Sequence, residues 1–177
     1  GHDNVEIVPG DILKLDVPAL VGEKLAGLTP IVCANLPYNI TTPVLTALLE
    51  ARCFASITVM IQREVAQRIC AAPGTPDYGA FSVYCQVHAG TELLFDVPPD
   101  CFLPAPKVTS SVLRLTPRPL PAEIKDEAFF FRVVRAAFAQ RRKTLLNALG
   151  AAFGGQFSKE ELAELLDSCG LPPGVRG

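Results

Sequence analysis

Two short apolar runs, each followed by a helical pattern, constrain the fold of this chain more than any other feature of its sequence. Residues 30–37 (PIVCANLP) are almost continuously apolar, which is typical of a strand buried on both faces in a parallel sheet. The residues at 41–43 (TTP) then predict a helix with a threonine N-cap and a proline in its first turn. A second apolar run at 56–62 precedes another helical pattern at 63–72. Strands that alternate with helices predict a parallel sheet covered by crossover helices.

The remaining patterns in the first two thirds of the chain predict further elements around this unit. Residues 5–13 (VEIVPGDIL) alternate and then turn at a Pro-Gly pair, which predicts a strand that ends at Asp11. Residues 82–89 fit a helix or a strand, and we favour the helix. Residues 92–98 and 107–115 flank a proline-rich loop and predict an antiparallel pair at the end of the sheet.

A proline-rich segment at 116–122 (TPRPLPA) is typical of a stiff linker and predicts a domain boundary. We therefore expect an α/β domain over residues 1–118 and a small all-helical domain over residues 119–177. If the helical pattern around it were continuous, Arg141 would lie among apolar side chains. Either the helix breaks near Gln140 or Arg141 is buried with a partner, and we favour the break. The helical patterns in this part of the chain are 127–140, 142–149 and 158–170.

Composition excludes several classes of protein. Hydrophobic residues make up 49% of the chain, which favours a packed globule, and no apolar run is long enough to span a bilayer. We therefore expect a cytoplasmic protein without membrane contact. The six cysteines are far apart and have no histidine cluster near them, so we expect neither a metal site nor a disulfide framework, and mostly buried thiols.

Polar groups follow the first apolar run where a ligand would bind. In open α/β sheets ligands bind beyond the carboxyl ends of the strands, where Asp11 and Asn35 to Asn39 would lie. An amide oxygen and a backbone carbonyl can accept both hydrogens of an exocyclic amine while an aromatic ring stacks on the base. Such acceptors favour the rehybridised nitrogen that attacks a methyl group. The alternative is that Asn and Pro here only form a strand-to-helix turn.

Five segments in the same order carry a family resemblance. They resemble the S-adenosylmethionine-dependent ribosomal RNA adenine N6-dimethyltransferases of the KsgA type, from about Val5 to Arg176. This resemblance implies a Rossmann-like class I methyltransferase sheet, of which only the C-terminal part is present, followed by a small helical domain. The segments are NLPYNITTP, MIQREVAQRI, DYGAFSV, FLPAPKVTSSVLRL and FRVVRAAFAQRRKTLLNAL.

The resemblance implies a catalytic site around Asn35. Asn35 would accept a hydrogen bond from the N6 of the target adenine, and the carbonyl of Leu36 or Pro37 would accept the second. Tyr38 would stack on the flipped base. Phe102 resembles the second aromatic residue of the family's site, although it could instead be a core phenylalanine.

The resemblance also implies cofactor and RNA contacts. Asp11 and Asn35 would contact S-adenosylmethionine, with Asp11 accepting from the amino group of its adenine, although an isolated Asp could equally be a turn residue. Basic side chains would hold the phosphates of 16S ribosomal RNA in the assembling small subunit, although a charge cluster is often only a solvated surface. The RNA-binding candidates are Lys107, Arg135, Arg141, Arg142 and Lys143.

The sequence also departs from the family pattern. Members have a glycine-rich G-x-G turn after the first strand and an acidic residue after the second, and this chain contains no G-x-G. We therefore expect an N-terminally truncated member with weak affinity for S-adenosylmethionine, inactive if the chain is complete. An uncovered sheet edge would then favour self-association.

Three other functions fit parts of the same pattern. A large-subunit ribosomal RNA dimethyltransferase of the antibiotic-resistance type shares the aromatic motifs. A DNA adenine or protein glutamine methyltransferase with an N-P-P-Y loop fits less well, because Leu36 replaces the first proline. A non-catalytic RNA-binding or ribosome-assembly factor would need no cofactor loop.

Overall fold

The computed structural model describes residues 2–172 and 174–176, so the outer limits of the two predicted domains, Gly1 and Gly177, lie outside it. Its strands are β1 (Ile31–Asn35), β2 (Ser56–Gln62), β3 (Ala89–Val97) and β4 (Ser110–Pro117). Its α-helices are α1 (Val17–Lys24), α2 (Thr41–Glu50), α3 (Arg63–Cys70), α4 (Ala80–His88), α5 (Glu127–Ala139), α6 (Leu145–Phe153) and α7 (Lys159–Ser168).

The four strands form one mixed sheet in the order β1-β2-β4-β3. β1 and β2 are parallel, whereas β4 is antiparallel to both β2 and β3. The carboxyl ends of β1, β2 and β3 and the start of β4 therefore lie at the same edge. The predicted β1-α2-β2-α3 succession and the predicted antiparallel pair at the end of the sheet are confirmed.

One face of the sheet is covered along β2 and β4, while Leu93 of β3 on the same face is 37% exposed. Ile57, Val59 and Ile61 of β2 are at most 1% exposed, and Leu113 and Leu115 of β4 are fully buried. Helices α2, α3 and α4 supply apolar side chains to the same core. The alternate residues of β1 and β2 point to the opposite face, which is more open.

The prediction that β1 is buried on both faces is wrong. Within the described residues β1 pairs only with β2 and is therefore an edge strand. Val32 and Ala34 pack against the core, while Ile31 is 64% exposed and Cys33 is exposed on the other face. A continuous apolar run does not distinguish a doubly covered strand from one with an open face.

The prediction of a strand over residues 5–13 is also wrong. This segment is irregular and mostly exposed, with Ile7 87% exposed, and it has no strand partner in the sheet. Asp11 begins a turn, since its carbonyl accepts from the amide of Lys14 at 2.8 Å. The sequence reasoning missed α1, which Asp16 caps by accepting from the amide of Ala19 at 3.0 Å.

Helix α2 starts differently from the prediction. Thr41 and Thr42 lie inside the helix, and neither is the N-cap, which is Ile40. The buried Thr41 hydroxyl instead donates to the carbonyl of Pro37 at 3.2 Å. The threonine therefore fastens the preceding turn to the helix.

The chain after β4 is helical in its described part, as predicted. Helix α5 ends at Ala139 with Gln140 as its C-cap, which confirms the predicted break, and Arg141 is exposed beyond it. Helices α5, α6 and α7 share a small core of four buried residues, Ala136, Leu149, Phe153 and Leu162. The division into two domains remains a prediction.

We call the four strands together with α2, α3 and α4 the sheet unit. A buried histidine lies where α5 meets this sheet unit. His88, at the end of α4, is 4% exposed and stacks against Phe131 of α5 with ring centroids 5.3 Å apart. Its Nε2 lies 3.4 Å from Oε1 of Glu127, which also pairs with Arg52 at 2.5 Å. Burial lowers the pKa of His88, and Arg52 acts in the same direction while Glu127 and Glu50 oppose it.

The expectation of mostly buried thiols is wrong. Of the six cysteines only Cys85 is buried, and burial raises its pKa to about 12. Cys33, Cys101 and Cys169 are exposed because they occupy the open face of β1, a short 3₁₀ turn and the end of a helix.

No helix among the described residues combines the length and apolarity that crossing a membrane requires.

Candidate adenine-binding site

The candidate site forms at the edge where β1 and β2 end. Asn35 is the last residue of β1, and Leu36 continues past it with its amide donating to the carbonyl of Met60 at 3.1 Å. Tyr38 starts a 3₁₀ turn that leads into α2. Leu36 is buried at 8% exposure and anchors the turn. Its neighbours Asn35 and Pro37 are exposed on either side of this anchor.

These residues line a cavity of about 300 Å³. Phe102, which follows a second 3₁₀ turn after β3, lies in the same cavity although it is distant in sequence. The structure therefore brings together all five residues predicted for the catalytic site. The full lining is Asn35, Leu36, Pro37, Tyr38, Phe102, Pro104 and Pro106.

The lining has a simple chemical character. None of its residues carries a charge, and its three prolines have no backbone N–H to donate. The Asn35 amide and the backbone carbonyls supply acceptors, and Tyr38 and Phe102 supply aromatic surfaces. Such a cavity suits a flat, uncharged ring that bears an amine.

Sequence reasoning missed part of this site. The hydroxyl of Tyr38 lies 2.8 Å from that of Ser110, the first residue of β4. Pro104 and Pro106 complete the wall that Phe102 begins. The signal for Ser110 was present, because two adjacent serines open a strand that is otherwise largely apolar.

Asp11 is not among the residues that line the cavity. Its side-chain Oδ1 accepts from the amide of Leu13 at 3.0 Å, and Oδ2 is 3.6 Å from Nζ of Lys14. This is the turn role that the sequence left open as an alternative. Ile12 beside it packs on the main core, which fixes the position of the turn.

The predicted RNA-binding residues have different surroundings. Arg135, Arg142 and Lys143 are exposed on α5 and the turn after it, and Lys107 is exposed next to the cavity wall. The guanidinium of Arg141 instead donates to the carbonyl of Pro76 at 2.6 Å. It thereby ties the loop before α4 to the helical unit, which consists of α5, α6 and α7 and the turns between them.

A larger cavity, of about 550 Å³, lies between the N-terminal segment and α1. Its one lysine, Lys24, is already paired with Glu6 at 2.8 Å and with Glu23 at 3.1 Å. It offers no aromatic surface, and it does not compete with the smaller cavity as a site for a base.

The sequence matches known proteins over nearly its whole length. The profile of the family described as "Ribosomal RNA adenine dimethylase" matches residues 1–167. The chain is 44% identical over 178 residues to "Ribosomal RNA small subunit methyltransferase A" of Lachnoclostridium phytofermentans, covering 99% of this chain and 61% of the relative. It is 46% identical to the protein of that name from Caldanaerobacter subterraneus subsp. tengcongensis, covering 99% of this chain and 65% of the relative. The chain thus spans less than two thirds of the length of these relatives.

A solved structure has the same fold. The crystal structure of a dimethyladenosine transferase from Plasmodium falciparum matches with a TM-score of 0.81 over 99% of this chain and 68% of that one, at 22% identity. The predicted Rossmann-like methyltransferase fold is confirmed by this match.

Proposed function

The chain belongs to the ribosomal RNA adenine dimethylase family, and from this premise we propose that it holds the target base for N6-dimethylation of adenines in small-subunit (16S) ribosomal RNA. The methyl donor would be S-adenosylmethionine, and the setting would be ribosome biogenesis in the cytoplasm. The observation that carries the proposal is the uncharged cavity at the end of β1, which holds one amide and two aromatic rings.

The cavity matches what N6 methylation requires of a protein. The adenine amine is a weak nucleophile because its lone pair is delocalised into the ring. Asn35 Oδ1 and the carbonyl of Leu36 would accept its two hydrogens and favour the form in which the lone pair is localised on nitrogen. The carbonyl of Pro37 already accepts from the amide of Ile40 and the hydroxyl of Thr41, so it is the less available of the two carbonyls predicted for this role. No strong base is needed for this step, and none lines the cavity.

Tyr38 and Phe102 would hold the base by stacking. Stacking of a base on an aromatic side chain contributes about 1–3 kcal/mol and is available only to a base that has left its own helix. An adenine in a hairpin loop or at a helix end meets that condition at less cost than one in a duplex.

The described residues fit the target base better than they fit the cofactor. When bound, S-adenosylmethionine supplies the electrophilic methyl group, and it carries an ammonium, a carboxylate and a ribose that need polar partners. The cavity lining has no charged side chain for them, and Asp11 uses one carboxylate oxygen in its own turn. We therefore expect this chain to bind the cofactor weakly.

Exposed cations on the helical unit would hold RNA phosphates. Arg135, Arg142 and Lys143 form no salt bridge or side-chain hydrogen bond with the described residues, so their charges remain available. Lys107 would extend this contact to the cavity wall. Arg141 remains a candidate because a guanidinium has five N–H donors and only some of them reach the Pro76 loop.

The test compares two nucleotides that differ in the group at position 6 of the base and in the hydrogen on the neighbouring N1. We expect the chain to bind adenosine monophosphate about tenfold more tightly than inosine monophosphate, which has a carbonyl in place of the amine. Asn35→Ala should remove the preference, whereas Asn39→Ala, an exposed residue of the same turn outside the cavity lining, should keep it. Equal binding of both nucleotides by the parent chain would contradict the proposal.

A second function, a non-catalytic ribosome-assembly factor, is favoured by the lack of charged cofactor ligands in the cavity. Radiolabelled S-adenosylmethionine offered with small-subunit RNA, assembling small subunits or large-subunit RNA separates these functions. Incorporation into adenine supports the enzyme and identifies the subunit, whereas RNA binding without incorporation supports the assembly factor. In calorimetry, clear micromolar binding of the cofactor would contradict the weak affinity that we expect.

The open edge of β1 would favour association with another copy of the chain. Its outward face carries the 64% exposed Ile31, and its free backbone groups can pair with another strand. Sedimentation velocity at increasing concentration tests this, and a monomer throughout would contradict it.

A further inference from the structure

A hydrogen bond ties the ring of Tyr38 to the sheet. Tyr38 Oη and Ser110 Oγ are 2.8 Å apart, although the two residues are 72 positions apart in the chain. Tyr38 belongs to a short surface turn, whereas Ser110 is the first residue of β4. The bond therefore connects one wall of the cavity to an inner strand of the sheet, which is paired on both sides.

Ser110 is well placed to serve as an anchor. It pairs with Gln62 of β2 on one side and with Val97 of β3 on the other, and it is 1% exposed. The strand register also places it on the same face of the sheet as Asn35, since Asn35 pairs with Met60 and Met60 with Val112. The anchor for Tyr38 and the amide of Asn35 thus share one rigid frame.

We propose that Ser110 is a positioning residue, which fixes the direction of the Tyr38 ring so that it can stack on the target base. This inference rests on the proposed function of the cavity. The phenol oxygen lies on the long axis of the ring, so a bond to it fixes where that axis points. Without the bond, the ring must give up its rotational freedom when a base arrives, which weakens binding.

The neighbouring serine provides a matched control. Ser111 is fully buried, and its hydroxyl donates to Oδ1 of Asp96 at 2.6 Å, on the opposite face of β4. Ser110→Ala and Ser111→Ala each remove one buried hydroxyl from the same strand. Both should lower the melting temperature, Ser111→Ala more because its hydroxyl bonds a carboxylate, but only Ser110→Ala should change the base-binding cavity.

The experiment follows the tyrosine rings by NMR during titration with adenosine monophosphate. The chain has only three tyrosines, so ring-specific ¹³C labelling gives few signals, and Tyr38→Phe assigns that of Tyr38. We expect the nucleotide to shift the Tyr38 signal, and Ser110→Ala to weaken binding about fivefold. Tyr38→Phe should weaken binding equally, and the double variant no further. Ser111→Ala should bind within about twofold of the parent.

Two results would overturn the positioning role while leaving the proposed function intact. One is that Ser110→Ala binds the nucleotide as tightly as the parent does. The other is that Ser111→Ala weakens binding as much as Ser110→Ala, which would show a general structural effect. If the parent does not prefer adenosine over inosine monophosphate, the proposed function fails instead. In that case the positioning role is tested by the Tyr38 signal without nucleotide. If that signal is the same in Ser110→Ala as in the parent, the positioning role is overturned.

Discussion

The sheet unit and the helical unit bury their cores to different degrees. Leu45, Ile57, Leu113 and other side chains of the sheet unit are 0% exposed. The four core residues of the helical unit are 4–8% exposed, and next to them Phe129 is 46% and Leu165 51% exposed. The candidate base-binding cavity is built on the tightly packed unit, while three of the exposed cations lie on the looser one. Positioning a base requires a rigid frame, whereas contacts with phosphates tolerate a mobile one.

The largest expected effect compares one leucine from each core. Leu115→Ala should lower the free energy of unfolding by about 3–4 kcal/mol, because the side chain is fully buried in the sheet core. Leu162→Ala should cost about 2 kcal/mol, because the core around it is small and partly open. Urea unfolding followed by far-UV circular dichroism measures both. Equal losses of unfolding free energy would show that the two cores are packed to the same degree.

A smaller effect should come from the arginine that joins the units. Arg141→Ala removes the hydrogen bond to the carbonyl of Pro76 and should destabilise the adjoining loop by about 1 kcal/mol. Hydrogen exchange in residues 74–79 should accelerate accordingly. Arg142→Ala, which removes an exposed neighbouring cation, is the control and should leave that exchange unchanged. Acceleration in both variants would assign the effect to charge rather than to the bond.

The smallest effect concerns pH and the histidine at the junction. Burial holds the pKa of His88 below its ordinary value of 6.5 in the folded chain. The unfolded chain therefore binds more protons as the pH falls through 6.5 and below, so the free energy of unfolding should decrease there. In His88→Gln this contribution is absent, and stability should fall less between pH 7 and pH 5.5. Parallel pH profiles for the two chains would show that His88 does not contribute.

Local patterns in the sequence predicted local structure well. The succession of strands and helices from β1 to α3 follows from periodicity. The end of α5 before Gln140 follows from Arg141, which a continuous helix would have placed among apolar side chains. Residues 5–13 have the same alternation as a strand but form none, because a strand also needs a partner and the sequence does not reveal one. Burial of β1 could not be predicted for the same reason, since it depends on what covers each face.

The site was predictable only in part. Asn35 to Tyr38 are contiguous, so a single strand end placed them together. Phe102 was predicted for the site only through the family resemblance, because no local pattern relates two segments that are more than 60 residues apart. The bond between Tyr38 and Ser110 depends on the antiparallel pairing of β4 with β2, a register that composition and periodicity do not specify.

The three prolines in the cavity wall have a consequence for the thermodynamics of binding. Each proline ring fixes one backbone dihedral before any ligand arrives, so Pro37, Pro104 and Pro106 leave the wall few alternative shapes. A base that enters therefore orders little of the surrounding chain, and under the proposed function the entropy lost on binding would come mainly from an RNA nucleotide that swings out of its helix. Selectivity among adenines would then follow from how readily each RNA site releases its base.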